Sequence, residues 1–160
     1  MKIITGNIFH THLPVMIHGC NSKSKMGSGV AKQVKEIYPE AFESYEEFLF
    51  KRITEYANPK TLGLINPVPV PKKPECGIRY ILNAITQDNY GQEKHVRYVS
   101  YDAVDEVMSR TSIWLDAMNI NQLAMPQIGA GLGNGHWPVI KEIVQHRLNH
   151  VEVTVYMWNI

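Results

Sequence analysis

Twice in this chain a short apolar run leads into a glycine-rich turn and then into a helical pattern, and that repeated unit narrows the fold most. The first unit runs from Pro14-Val15-Met16-Ile17-His18 through Met26-Gly27-Ser28-Gly29 into a helical stretch at 30–37, stopped near Pro39. The second runs from Gln122-Leu123-Ala124-Met125-Pro126 through Gly129-Ala130-Gly131-Leu132-Gly133-Asn134-Gly135 into a helix opening at Trp137-Pro138. Its stripe of Ile140, Ile143, Val144 and Leu148 is the face to be buried. Glycine between a strand and a helix lets backbone approach a ligand, and the helix start offers free N–H groups to an anion. One such loop is equally well explained as a simple turn. Two in one small chain suggest a clamp for a pyrophosphate.

The remaining segments fit the same layers. Ile3-Ile4 and 151–156 read as strands, 78–86 as a central strand, and 40–50 as an aromatic-rich helix. Leu62-Gly63-Leu64-Ile65 followed by Pro67-Val68-Pro69-Val70-Pro71 reads as an edge strand running into a loop, because repeated prolines remove ladder donors. A long helix is expected near Val99, with Val104, Met108, Leu115 and Met118 among its apolar positions. Strands alternating with helices predict an α/β fold, and 160 residues without a linker or internal repeat predict one domain over 1–160.

Charge excludes some partners. Sixteen Lys and Arg against 15 Asp and Glu, scattered along the chain, form no basic stripe for a nucleic-acid backbone. No apolar run reaches the roughly 18 residues a membrane span needs, and the N-terminus lacks a signal-peptide pattern. Cys20 and Cys76 have neither metal-ligand spacing nor disulfide density, so a cytoplasmic monomer without metal or cofactor is expected. Neither loop ends in the Gly-Lys-Ser/Thr of a P-loop, and the first lacks the spacing of a dinucleotide fold.

Taken in order, Gly6-Asn7-Ile8, then His18-Gly19-Cys20-Asn21 with Met26-Gly27-Ser28-Gly29-Val30-Ala31, then Met125-Pro126-Gln127-Ile128-Gly129-Ala130-Gly131-Leu132-Gly133, resemble the macrodomain family over nearly the whole chain. That resemblance implies a three-layer α/β/α fold with a mixed central sheet, whose cleft holds ADP-ribose. It places adenine near Asn7, Ile8 and Tyr156, and the distal ribose near Asn21. It places the phosphates across Met26, Gly27, Ser28, Gly29 and Val30 in one loop and Ile128, Gly129, Ala130, Gly131, Leu132, Gly133 and Asn134 in the other. Asn7 stands where the family usually has aspartate; it can accept a hydrogen bond from the adenine amino group but lacks the charge that strengthens it. Within the family, the His18 and Met125-Pro126-Gln127-Ile128 segments look most similar to the branch of ADP-ribose 1''-phosphate phosphatases and terminal ADP-ribose glycohydrolases. The lysine and aspartate used by those glycohydrolases are matched here by Gln87 and Gly133.

Two residues are candidates for chemistry. His18, with an ordinary pKa of about 6.5, can act as general acid or base, or else is a buried histidine satisfied by its neighbours. Asp88, in Gln87-Asp88-Asn89-Tyr90-Gly91 after the central strand, can activate water or is an ordinary loop aspartate. Asn21 orients the distal ribose or forms a turn. Met26, Trp137 and Trp158 more often pack than bind, Cys20 has no evident basic partner, and His136 borders the phosphate end or a solvated helix start. Three functions follow: a phosphatase acting on ADP-ribose 1''-phosphate, a hydrolase removing ADP-ribose from protein or nucleic acid, or a non-catalytic reader of ADP-ribosylated targets.

Overall fold

The computed structural model describes residues 1–57 and 59–158. In chain order the elements are β1 (Lys2–Thr5), a 3-10 turn (Ile8–His10), β2 (Val15–Asn21), α1 (Gly29–Ile37), α2 (Pro39–Glu55), β3 (Ile65–Pro69), β4 (Tyr80–Gln87), α3 (Tyr101–Ala117), β5 (Gln122–Pro126), α4 (Trp137–Arg147) and β6 (Glu152–Met157). The six strands form one sheet in the order β1-β6-β5-β2-β4-β3. All neighbours are parallel except β3, which runs antiparallel to β4 at the edge. The alternation of strands and helices predicted the α/β class, and the mixed sheet between two helical layers is the architecture the macrodomain resemblance implies.

Hydrophobic pattern explains the layering. β2 and β4 are buried almost throughout, as strands covered on both faces are, whereas edge strand β1 is largely exposed. Alternate residues of β2 point to opposite layers: Val15 and Ile17 pack with α3 and α4 residues such as Val104, Val107 and Val144, while Met16 packs with Val34 of α1 and Tyr45 and Leu49 of α2. In α2 the buried positions Ala41, Tyr45 and Leu49 recur every four residues. Pro67 and Pro69 sit in β3, where the outer side of an edge strand needs no ladder donor.

The differences from the sequence reading have local causes. α2 runs five residues past the expected end because its last turns, including Phe50, Ile53 and Glu55, are exposed and carry no apolar period. Leu62-Gly63-Leu64 is a turn and not strand, with Gly63 at φ +86°. β4 begins at Tyr80, two residues later than expected. Met118 caps α3 at its exposed end and does not join the stripe, and Trp158, expected to pack, is half exposed.

Candidate ligand cleft

The sheet opens between β2 and β5. These strands share a single register pair, Met16 with Ala124, whereas β2 is paired with β4 along its whole length. They are also where the chain's winding reverses: after β2 the chain adds β3 and β4 on one side, and after β5 it adds β6 on the other. In open α/β sheets such a switch point leaves a crevice at the carboxyl ends of the strands. Both glycine loops leave from those two ends.

Backbone faces backbone across this crevice. Ser28 caps α1 with extended backbone and no side-chain hydrogen bond to the helix start, and Gly29 follows at φ +61°. Those uncapped N–H groups and the helix dipole suit an anion. A Cβ on Gly29 would lie 3.8 Å from Leu132 Cδ1 of the second loop, and Leu132 is itself exposed. One exposed side chain of the second loop thus lies over Gly29 of the first. In the second loop Gly129 adopts φ +74°, and its carbonyl accepts from Gly135 N at 2.8 Å. The Gly133 carbonyl accepts from Tyr98 N and Val99 N at 2.9 and 3.1 Å. Asn134 Nδ2 donates to the carbonyls of Glu93 and Val96, so its side chain fixes the loop and does not reach for a ligand.

At the other end of the crevice Asn7, Ile8 and Tyr156 come together, since β1 pairs Ile4 with Tyr156 of β6. Asn7 Oδ1 accepts from Phe9 N at 2.9 Å and caps the short turn. The Ile8 side chain is buried, which leaves only its backbone for a ligand. Tyr156 is half buried and donates from its hydroxyl to Thr11 Oγ1 at 2.7 Å, so its ring is held beside Gly6.

The first loop is organised by Asn21, which is buried and not free for a ribose in the way expected. Its Oδ1 accepts from Lys23 N at 2.9 Å and Lys25 N at 3.3 Å, and its Nδ2 donates to the Lys25 carbonyl at 2.9 Å. The fully buried Tyr45 of α2 donates to Asn21 Oδ1 at 3.1 Å and also contacts the Asn21 carbonyl. Burial pushes the Tyr45 hydroxyl up, so it remains a neutral donor. Met26 is likewise packed beneath the loop with Tyr45 and Cys20, and correction is needed there too: it supports the loop from below. Gly27 remains exposed, with open space around it, and Val30 is half buried at the start of α1.

Beside this loop lies Asp88. Ser22 N donates to the carbonyls of Gln87 and Asp88 at 3.1 and 3.2 Å, tying the end of β4 to the first loop. The Asp88 carboxylate is exposed and stands 3.8 Å from Lys23 Nζ. Sequence reasoning missed Lys23, since a lysine in a polar turn carries no signal until the fold sets β4 beside it. Gln87 donates to the Asn89 carbonyl at 2.8 Å.

His18 is not part of the cleft. It points into the α1/α2 layer, is completely buried, and its Nε2 lies 2.7 Å from Asn83 Oδ1. Asn83 Nδ2 in turn donates to Asn66 Oδ1 and to the Ala41 carbonyl of α2, each at 3.0 Å. Burial lowers the imidazole pKa to about 4 despite the hydrogen bond to Asn83, so it is neutral at pH 7. A general acid or base needs reach to the reacting group, and His18 has none; the expectation of catalysis gives way to a core polar network. Cys20 is also buried, and burial pushes its thiol up. Among the described residues no three His, Cys, Asp or Glu side chains group as a metal site, and no helix is long and apolar enough to cross a membrane.

Comparison with known proteins agrees with this arrangement. A DNA ADP-ribosyl glycohydrolase of Thermus aquaticus is 24% identical over 159 residues, covering 98% of this chain but only 41% of that protein. An ADP-ribose 1''-phosphate phosphatase of Meyerozyma guilliermondii is 23% identical over 182 residues, covering 98% of each. The Thermosipho africanus DarTG structure in complex with ADP-ribose superposes with a TM-score of 0.80 at 16% identity, over 97% of this chain and 40% of that one. The Macro domain family model matches residues 17–144, from within β2 through the second glycine loop into α4. With both loops, the switch point and that match in agreement, this chain belongs to the macrodomain family.

Proposed function

We propose that the cleft binds ADP-ribose across the two loops and that the protein hydrolyses ADP-ribose 1''-phosphate to ADP-ribose and phosphate. The observation that carries the choice among hydrolases is position 133. A Cβ there would lie 2.7 Å from the Gly129 carbonyl oxygen, within a backbone that is itself hydrogen-bonded, so the aspartate of the lysine-dependent glycohydrolases has no room. Gln87 occupies the matching lysine place. The likeness to phosphatases over almost their whole length supports the same reading, while the glycohydrolase likeness spans under half of that relative.

Asp88 is the exposed carboxylate held at the edge of the first loop. In this reading it takes a proton from a water whose oxygen forms a bond to phosphorus. The bond from phosphorus to the anomeric oxygen breaks, and that oxygen takes a proton from solvent. The α1 N-terminus and the second loop hold the diphosphate in place and supply binding energy. Asp88→Asn is expected to lower kcat for phosphate release by about 100-fold or more, the usual scale of general-base catalysis, with ADP-ribose binding retained. Unchanged kcat in that variant refutes the assignment. Release of ADP-ribose from modified DNA, measured alongside, tests the competing reading that the Thermus likeness favours.

A further inference from the structure

The turn 22–25 is held in a conformation that stability alone does not explain. Ser24 has φ +59°, a left-handed backbone that is unfavourable for a non-glycine residue. Such a residue persists where its surroundings over-determine it, and these outliers gather at functional sites. Here the surroundings are the buried Asn21 side chain, which grips the amides of Lys23 and Lys25 and the Lys25 carbonyl, and behind it the Tyr45 hydroxyl. This bracing fixes the backbone of the turn that carries Lys23. Lys23 Nζ stands 3.8 Å from Asp88 Oδ2, too far for a good hydrogen bond and half exposed, so the pair adds little to folding.

We propose that Lys23 is a specificity-determining residue, selecting ligands that carry a terminal phosphate monoester on the distal ribose, and that Tyr45 is its positioning residue, acting through Asn21. This rests on the cleft reading above. A lysine ammonium is a compact charge with three donors and binds a phosphate dianion as a point charge. A phosphate that takes the ammonium also draws it from Asp88, leaving that carboxylate free toward water. ADP-ribose, which lacks the terminal phosphate, gains nothing from Lys23. Lys25 lies on the same turn, but its ammonium has no partner drawing it toward the β4 edge among the ion pairs of the described residues.

The test is the ratio of affinities for ADP-ribose 1''-phosphate and ADP-ribose, measured by calorimetry in an Asp88→Asn background so that the first ligand survives. Adding Lys23→Ala is expected to cut affinity for the phosphorylated ligand by about 10-fold or more, the scale of a charge-assisted hydrogen bond, with ADP-ribose affinity within about twofold. Lys25→Ala is expected to leave the ratio unchanged. Tyr45→Phe is expected to lower the ratio as well, and combining it with Lys23→Ala to add nothing further; a merely structural role for Tyr45 would instead weaken both ligands equally. Binding of both ligands with a ratio unmoved by Lys23→Ala overturns the proposal and leaves the cleft reading standing. Absence of ADP-ribose binding in the parent protein overturns both.

Discussion

Gly133→Asp is expected to abolish ADP-ribose binding and to lower stability by about 1–3 kcal/mol, the range of an overpacked site. The substitution places a carboxylate where the related glycohydrolases are expected to have one, yet the result is loss and not gain of function. Any Cβ at 133 meets the Gly129 carbonyl oxygen at 2.7 Å and the Gly129 carbonyl carbon and Cα at 3.2 Å, all backbone atoms. That same carbonyl holds Gly135 N, and Gly129 is already at a φ that only glycine adopts freely. Relief therefore shifts the loop that is to contact the diphosphate. The control is Gly131→Ala, whose Cβ meets no atom within 4 Å; its thermal stability should match the parent's within about 0.5 kcal/mol. Thermal unfolding and ADP-ribose calorimetry on both variants decide the point, and a Gly133→Asp protein that is as stable as the parent and binds normally contradicts it.

Stability is expected to fall by roughly 3 kcal/mol as pH drops from 6.5 to 4, with His18 as the cause. Its folded pKa, about 4, lies below its unfolded value near 6.5, so above pH 6.5 both states are neutral and the contribution is complete. Between those values the unfolded chain binds a proton that the folded one refuses, and the free energy of unfolding declines by about 1.4 kcal/mol per unit. The groups facing the ring do not offset this: Asn83 is uncharged and the Cys20 thiol, 3.7 Å from Nε2, stays protonated. The carboxylates of Asp105 and Glu106 have pKa values lowered from 3.8 and 4.5 by the hydrogen bonds of Arg147 and of Lys60, so their losses begin only near those unfolded values, at the acid end of this window and below it. His18→Gln removes the titration and keeps a polar side chain. Urea unfolding at several pH values should show the slope between 6.5 and 4 flattened in the variant. An equal slope in both proteins assigns it elsewhere.

The layers were legible because their signals are local. β2, β5 and the starts of α1 and α4 follow from apolar runs, glycines and prolines, and the edge position of β3 follows from Pro67 and Pro69. The two loops of the candidate site were legible in the sequence, and the roles of their side chains were not. His18 reads equally well as catalyst or core, since a strand residue faces one layer or the other according to register, and register is set by neighbours distant in sequence. Asn21, Met26 and Asn134 were expected at the ligand because they lie in its loops, but a loop that holds its shape spends its own polar and apolar side chains doing so. Tyr45 and Lys23 gave no signal at all: one is an aromatic on a helix face, the other a lysine in a polar turn, and only the packing of α2 and β4 against the first loop joins them to Asn21 and Asp88.

The most direct test of the whole account is a time course of inorganic phosphate released from ADP-ribose 1''-phosphate by the wild-type protein. Many equivalents of phosphate per protein are expected, with ADP-ribose as the other product. Tight binding of the compound with its phosphate returned intact contradicts it.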